Sequence, residues 1–463
     1  MKTKYLSKIT SLILVLVVLV SLTACSFNPF NSKFDPIDDT KEQILSAVES
    51  SLENDSSKYS YVYKYLSHWG ISGFDSTKVK YIEDVFKYYY VLDDGLPDTL
   101  IHAADTAKLF LEKYYDTVDL YNYVEVTDAI LNCYVDSVGD PYAYYRTAEK
   151  YEEYQDGMSG TFGGVGITIE SNHAEKTLLV KKVFKDGPAY VSGMQVGDYI
   201  IGVDGKTLDE LGGYDKAVNF VRGKIGTEVT VTVNRNGEII DITMIRDVVV
   251  EPSVEYSITD EGYGYVAISS FKSNTTEQFK EAIDALENEG AIGYIFDLRS
   301  NPGGYVDAAV EMISYILPNN NLVISCNYKS DPPYHYMTKN DNVNGVYQDH
   351  IIDLPIVILC NNHSASSAEI FISCLRDHRA IGTLDKLVLV GTNTFGKGII
   401  QASAAYKEDN SHVTLTIAYF TPPLGVSFHG IGIAPDITVE LSSTEDTQLA
   451  EAIRQLDLLV QSK

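Results

Sequence analysis

Three short segments bring together residue types that could carry out acyl transfer. Asn361–Glu369 (NNHSASSAE) follows an apolar run and opens a helix-like segment, so a serine hydroxyl at this turn would lie beside helix N–H groups that could stabilise an oxyanion. Thr394–Gly398 (TFGKG) places Lys397 between glycines and beside Phe395, where burial would disfavour the ammonium form and leave an amine that can act as a base. Asp297–Gly304 (DLRSNPGG) ends in two glycines whose N–H groups can face a developing oxyanion, although a plain turn is the commoner role of such a pair.

Each segment also has a simpler interpretation. Ser366-x-x-Glu369 is a capping box that starts a helix and needs no catalysis, and most loop lysines such as Lys397 are solvated. A histidine base is disfavoured by geometry, because His363 precedes Ser366 on the same tight turn and His378 lies about three helical turns further on. The chain has no G-x-S-x-G elbow, which argues against a serine esterase of the α/β-hydrolase type.

The surrounding sequence predicts the elements that must position these segments. From Gly262 onward, apolar strand-like runs alternate with helix-like segments, which predicts βα units around a largely parallel sheet. Functional groups in such folds lie at the carboxyl ends of the strands. The preceding region has short β-branched runs with Asp204-Gly205 and Asn236-Gly237 between them, as in hairpins. Upstream of residue 156, apolar residues recur at helical spacing.

The predicted organisation is a multidomain α/β protein in which a β-rich module precedes an α/β core. Its segments are a signal peptide at 1–24, a tether at 25–40, a helical N-terminal region at 41–155, the β-rich module at 156–250, the α/β core at 251–445 and a C-terminal helix at 446–463.

Composition narrows the classes of function. The 463 residues include 64 acidic and 36 basic side chains, giving a net charge of −28, which argues against a nucleic-acid partner because phosphate binding needs a basic surface. Outside the N-terminus, four cysteines form no CxxC pair and no ligand spacing with histidine, and the nine histidines form no HExxH pattern. We therefore expect no metal site and no cofactor.

The N-terminus predicts export and lipidation. Three lysines precede an apolar run at Leu12–Val20, which is too short to span a membrane and is typical of a secretory signal. The run is followed by Leu-Thr-Ala-Cys25, which resembles a bacterial lipobox with cleavage before a lipidated Cys25. We expect the mature chain on the extracytoplasmic face of a bacterial cell membrane, anchored by lipid. The alternative is an ordinary signal peptide with an incidental cysteine.

Taken together, the motifs resemble those of the C-terminal processing peptidases, the tail-specific serine proteases. The resemblance covers about residues 125–440 and is carried by Asp140-Pro141-Tyr142, Gly163–Ile167, Asp186–Ala189, Asp297–Gly304, Ser364–Glu369, Thr394–Gln401 and Gly430–Asp436. It implies a PDZ domain followed by a crotonase-like α/β serine-peptidase core.

The resemblance also implies a role for individual residues. The nucleophile is Ser366, the general base Lys397 and its orienting glutamine Gln401; the oxyanion hole comprises amides of Gly303, Gly304 and Ser367; the carboxylate-binding loop of the PDZ domain is Gly163, Gly164, Val165, Gly166 and Ile167. The sequence departs from the family pattern twice. The turn reads Ser-Ala-Ser-Ser-Ala-Glu in place of Ser-Ala-Ser-Ala-Ser-Glu, and the stretch from Glu369 to Lys397 is longer than usual.

The implied function is a serine endopeptidase that recognises extracytoplasmic substrates by their C-terminal tails and acts through a Ser-Lys dyad and an acyl-enzyme. Its expected partners are substrate C-termini and, through the lipid, the membrane; homo-oligomer formation is left open. The alternative is a catalytically inactive lipoprotein that binds peptides through the PDZ-like module.

Overall fold

A computed structural model describes residues 61–68, 71–92, 99–172, 177–329, 331–339, 342–343, 346–347 and 352–461. The predicted signal peptide, Cys25 and the tether lie outside these ranges. Two compact units divide the chain: the first comprises Met1–Tyr151, Asn327–Pro332 and Ile399–Tyr419, and the second comprises Glu152–Cys326, Pro333–Gly398 and Phe420–Lys463. None of the helices in the described ranges is both long and apolar enough to cross a lipid bilayer.

The helices, numbered in chain order, are α1 Tyr61–His68, α2 Ser76–Tyr89, α3 Thr99–Lys113, α4 Tyr123–Val138, α5 Ala148–Ser159, α6 Pro188–Val191, α7 Tyr214–Val221, α8 Thr275–Asn288, α9 Val306–Ser314, α10 Ser367–Ala380 and α11 Thr447–Gln461.

The strands, numbered in the same way, are β1 Tyr144–Arg146, β2 Thr161–Gly164, β3 Ile167–Asn172, β4 Thr177–Val183, β5 Tyr199–Val203, β6 Lys206–Thr207, β7 Glu228–Arg235, β8 Glu238–Ile245, β9 Asp247–Val250, β10 Val254–Ile258, β11 Gly264–Ile268, β12 Tyr294–Asp297, β13 Leu322–Tyr328, β14 Tyr334–Met337, β15 Asn342–Val343, β16 Val346–Tyr347, β17 Ile356–Cys360, β18 Leu387–Gly391, β19 Ile399–Tyr406, β20 Ser411–Thr421 and β21 Ile437–Thr438.

The first unit is built on helices with clear start and stop residues. Helix α2 begins where the Asp75 side chain accepts the N–H groups of Thr77 and Lys78, and α4 ends at Gly139 in the left-handed conformation (φ 74°). The helices bury a shared apolar core together with β20, which pairs antiparallel with β1 and β19. The segment Ile399–Tyr419, which falls within the α/β core predicted at 251–445, belongs to this first unit in the structure.

The β-rich module lies in the second unit and has the predicted antiparallel strands. Its sheet has the order β3-β4-β5-β7-β8, with β6 beside β5. The predicted turn residues carry the positive φ angles that their hairpins need: Asp204 and Gly205 have 50° and 73°, and Asn236 and Gly237 have 55° and 92°. Inward-facing valines and isoleucines of the sheet form a separate apolar core with α7. Strand β2 leads into the module and β9 leads out of it, and these two strands pair with each other.

The α/β core contains the predicted parallel sheet. Its strand order is β10-β11-β12-β17-β18-β21, with β10 antiparallel to β11 and every other pair parallel. All residues of β12 and β17 are buried, which is typical of central strands covered on both faces. Because β12, β17 and β18 are adjacent and parallel, the segments that follow them lie at one edge of the sheet. Those segments contain the three motifs that could carry out acyl transfer.

The four cysteines in the described ranges, Cys133, Cys326, Cys360 and Cys374, are buried and unbridged. Burial raises the pKa of Cys133, Cys326 and Cys360 to about 12, so these thiols have little thiolate character at neutral pH.

Candidate active site

The candidate nucleophile Ser366 occupies a strained turn between β17 and α10. Its backbone has φ 55° and ψ −117°, a region that residues other than glycine rarely adopt and that costs about 1–3 kcal/mol. Two hydrogen bonds hold the turn: Ala365 donates its N–H to the Asn301 carbonyl at 2.9 Å, and the Ser364 hydroxyl donates to the Leu298 carbonyl at 2.7 Å. The strain is therefore maintained by the loop after β12.

The carboxylate of Glu369 joins the Ser366 turn to the Lys397 loop. Glu369 is 0 % exposed, and its Oε2 accepts the N–H of Ser366 at 2.9 Å and the N–H of Lys397 at 2.7 Å. Its Oε1 accepts the N–H of Gly396 and the hydroxyl of Thr394, each at 2.6 Å. One oxygen atom thus holds the backbones of two residues that lie 31 positions apart in the sequence.

The local sequence pattern predicts only a helix-capping role for Glu369. The cap is present, since Glu369 accepts the Ser366 N–H. The contacts with the Lys397 loop depend on the parallel arrangement of β17 and β18, which a local motif does not report. The sequence contains one signal for these contacts, because Glu369 is the single carboxylate at the start of an otherwise apolar stretch of α10. A fully buried charge must find several hydrogen-bond donors.

Lys397 lies on a loop that is fixed mainly by backbone contacts. Phe395 donates its N–H to the Ser364 carbonyl at 3.0 Å, and the Gly396 carbonyl accepts the Gly430 N–H at 2.8 Å. Lys397 itself is half-buried, and the desolvation of its amine stays a prediction. Phe395, however, is 54 % exposed and is not part of the core.

The glycine loop after β12 lies directly against the candidate nucleophile. A Cβ atom on Gly303 would come within 2.8 Å of the Ser366 Cβ and 2.9 Å of the Ser367 nitrogen, so only glycine permits this approach. The Gly303 N–H donates to the Asn301 Oδ1 at 2.8 Å. Because this N–H already has an acceptor, it is not available to an oxyanion. Of the three amides predicted for the oxyanion hole, those of Gly304 and Ser367 remain candidates.

Gln401 belongs to the first unit, on β19. Its Nε2 donates to the Thr416 hydroxyl at 3.1 Å, and this hydroxyl donates to the Asp140 carboxylate at 2.7 Å. The pairing of β19 with β20 is irregular between Ile400 and Gln401. The side-chain amide of Gln401 is therefore held by a short polar chain, and its predicted role toward Lys397 stays a prediction.

Of the predicted carboxylate-binding loop, Val165, Gly166 and Ile167 line a cavity of about 230 Å³ in the β-rich module, whereas Gly163 and Gly164 lie on β2 and are not among its lining residues. Strand β2 ends at Gly164 and β3 begins at Ile167, so Val165 and Gly166 connect the two strands, with Gly166 at φ 81°. Strand β3 is the edge of its sheet, and α7 contributes Val218 to the same cavity. The cavity is lined mainly by apolar side chains, together with Thr168, Arg222 and Glu251. Such a cavity beside an open sheet edge fits a peptide added as a further strand.

Two segments of the chain match known families. Peptidase family S41 matches residues 262–439, and the PDZ domain matches residues 155–234. The chain is 31% identical over 337 residues to the carboxy-terminal processing protease CtpA of Bacillus subtilis, covering 72% of this chain and 68% of that protein. It is 34% identical over 311 residues to the carboxy-terminal-processing protease of Bartonella bacilliformis, covering 65% of this chain and 67% of that protein.

The chain belongs to the carboxy-terminal processing proteases of peptidase family S41. Membership makes it a serine-type endopeptidase with a PDZ domain and confirms the resemblance drawn from the motifs. The fold agrees, since a solved S41 protease structure from Bacteroides fragilis aligns with a TM-score of 0.50 at 17% identity, over 81% of this chain and 97% of that one. Within this S41 protease, the roles of Ser366, Lys397, Gln401 and the oxyanion amides stay predictions.

Proposed function

We propose that this protease cleaves polypeptides by a Ser-Lys dyad in which Lys397 activates Ser366. The observation that carries the proposal is the shared acceptor: Glu369 Oε2 binds the backbone N–H of both residues. The neutral amine of Lys397 takes the proton of the Ser366 hydroxyl as the oxygen attacks the scissile carbonyl, which gives an acyl-enzyme that water then hydrolyses.

The dyad is tested with the purified full chain and an unstructured protein such as β-casein. Ser366→Ala and Lys397→Ala should abolish cleavage while the unfolding transition is retained. Lys397→Arg should be inactive as well, because a guanidinium does not give up its proton near neutral pH. Cleavage that survives Lys397→Arg and is lost in His363→Ala would replace the dyad with a histidine base.

We further propose that the PDZ domain selects substrates by their free C-termini. The support is the cavity between β3 and α7, which is lined mainly by apolar side chains and includes the Val165–Ile167 loop. The tail pairs with the edge of β3, and loop amides receive the carboxylate. A substrate with an amidated C-terminus should be cleaved with a higher KM and an unchanged kcat. Equal KM values for amidated and free-acid substrates would contradict tail recognition.

We also propose that the protein acts outside the cytoplasm, anchored by lipid on Cys25. The support is the sequence alone: a short apolar run that ends in Leu-Thr-Ala-Cys25. Several acyl chains on one residue anchor a protein far more stably than one chain does. The mature protein should fractionate with membranes and begin at a modified Cys25 by intact-mass analysis, whereas Cys25→Ala should leave the precursor uncleaved or release it. An unmodified Cys25 in the mature protein would contradict this proposal.

A further inference from the structure

Ser367 carries a hydroxyl where the family pattern has alanine, and this hydroxyl has a specific partner. Ser367 is the first residue of α10, is 0 % exposed, and donates its Oγ hydrogen to the Gly304 carbonyl oxygen at 2.8 Å. Its hydrogen bond therefore connects the residue after the nucleophile to the glycine loop after β12.

The other polar groups of the glycine pair are also engaged. The Gly303 N–H donates to Asn301 Oδ1 at 2.8 Å, and the Gly303 carbonyl accepts the Phe271 N–H at 2.9 Å. With Ser367 on the Gly304 carbonyl, three of the four backbone polar groups of Gly303 and Gly304 have partners. Within the ranges that the structure describes, the Gly304 N–H is the group for which no acceptor is found.

The direction of this remaining N–H follows from peptide geometry. The peptide between Gly303 and Gly304 is trans and planar, so the Gly303 carbonyl and the Gly304 N–H point in opposite directions. The carbonyl points at Phe271, and the N–H consequently points away from it. Phe271 and the nucleophile turn lie on opposite sides of the loop, because a Cβ on Gly304 would meet the Phe271 oxygen at 2.1 Å and one on Gly303 would meet the Ser366 Cβ at 2.8 Å. The Gly304 N–H thus faces the nucleophile side.

We propose that the Ser367 hydroxyl is a positioning group that keeps the Gly304 N–H aimed at the carbonyl oxygen of the bound substrate. The inference rests on the proposed Ser366 nucleophile. Gly303 and Gly304 have φ values of 95° and 149°, and glycines in a loop can rotate their peptide planes at little cost unless each plane is held. The Gly303–Gly304 plane, which carries this N–H, is held through the Gly303 carbonyl by the Phe271 N–H, and the Tyr305 N–H holds the next plane by donating to the Phe271 oxygen at 2.7 Å. The hydrogen bond from Ser367 ties the Gly304 backbone to the first turn of α10, so the N–H keeps its position beside the nucleophile and stays preorganised for the oxyanion.

The test compares Ser367→Ala with Ser373→Ala in the full-length enzyme. Ser373 lies on the same helix, is equally buried and donates to the Ile370 carbonyl at 3.4 Å, so its removal deletes a matched hydroxyl away from the site. Cleavage of a fluorogenic peptide gives kcat and KM. Inhibition by a peptide boronate of the same sequence reports oxyanion stabilisation, because the boronate forms a tetrahedral adduct with Ser366.

Ser367→Ala should lower kcat about tenfold, which is less than the loss of kcat on removing an oxyanion donor itself. It should weaken boronate binding by a similar factor. KM should stay within about twofold, because ground-state binding does not use this donor. Ser373→Ala should match the wild type in kcat and boronate affinity. Ser367→Cys, which fills the same space with a weaker donor, should be intermediate and serves if the alanine variant is unstable.

Two outcomes overturn the inference: equal kcat and boronate affinity in Ser367→Ala and Ser373→Ala, or an equal loss in both that follows a lower unfolding midpoint. Failure of the underlying mechanism looks different, since Ser366→Ala, assayed in parallel, would then still cleave the peptide.

Discussion

Replacing Glu369 with glutamine should separate the stability of the fold from the assembly of the dyad. The carboxylate accepts four hydrogen bonds on two oxygens, and glutamine keeps one acceptor oxygen and presents an NH2 group in place of the other. The NH2 group is best accommodated toward Thr394, whose hydroxyl can accept as well as donate. In that orientation the Gly396 N–H loses its acceptor, while Ser366 and Lys397 keep a neutral one.

The magnitude follows from the number of donors affected. One buried N–H without an acceptor costs about 1–3 kcal/mol, and the change from a charged to a neutral acceptor weakens the bonds that remain. We expect Glu369→Gln to lower the free energy of unfolding by about 2–4 kcal/mol. Displacement of the Ser366 and Lys397 backbones by a fraction of an ångström should lower kcat by about 10- to 100-fold with little change in KM.

The assay needs a control that loses a buried carboxylate elsewhere. Asp377 lies on the same helix as Glu369, is 1 % exposed, and accepts the Leu424 N–H at 2.9 Å and the guanidinium of Arg376. Urea unfolding, kcat and the rate of Ser366 labelling by a fluorophosphonate are measured for Glu369→Gln and Asp377→Asn. Asp377→Asn should lose stability and keep kcat. A wild-type kcat in Glu369→Gln, or an equal loss in Asp377→Asn, would refute the reasoning.

Two further substitutions test the loop after β12 and the ion pair between Arg299 of this loop and Asp446. Gly304→Ala should abolish cleavage and lower the unfolding midpoint measured calorimetrically, because the new Cβ would lie 2.1 Å from the Phe271 oxygen; retained activity would contradict the placement of the loop. Burial raises the pKa of Asp446, but hydrogen bonding to Arg299 outweighs it, and the net pKa is lowered. The ion pair therefore stabilises the fold above the ordinary aspartate pKa of about 3.9, and this stabilisation is lost as the pH falls through the lowered pKa of the folded protein. Asp446→Asn should lower the free energy of unfolding in urea by about 1 kcal/mol at neutral pH and by much less near pH 3. A cost independent of pH would contradict this ion pair.

Local sequence patterns predicted the elements around the site well, because each depends on neighbouring residues. The all-apolar run at β17 predicts a buried strand, and α10 begins within the Asn361–Glu369 segment that was expected to open a helix. Asn236-Gly237 predicts its hairpin because both residues tolerate positive φ. Such features are fixed by backbone preference and by burial on one or both faces of a strand.

Features that depend on distant parts of the chain were not predictable in the same way. Serine does not favour the positive φ of Ser366. The neighbouring Ala365 and Ser364 are held by Asn301 and Leu298, which lie in the loop after β12 and are distant in the sequence. Likewise, Val413–Ala418 has an ordinary β pattern that does not report which sheet it joins. In the structure its partners include β1 and β19, and the first of these lies more than 260 residues away in the chain.

The pairing of β2 with β9 makes the PDZ domain a unit that evolution can exchange. Thr161 lies opposite Val250 and Gly164 opposite Asp247, so the entering and leaving strands are separated by about 4.8 Å, the spacing of neighbouring strands. A recombination event that replaces everything between them meets the rest of the chain at two adjacent points and leaves the strand order of the α/β core unchanged. Tail preference and peptide-bond hydrolysis can therefore diversify separately, and grafting a foreign PDZ domain at this ribbon is a direct route to redirecting the protease to new substrates.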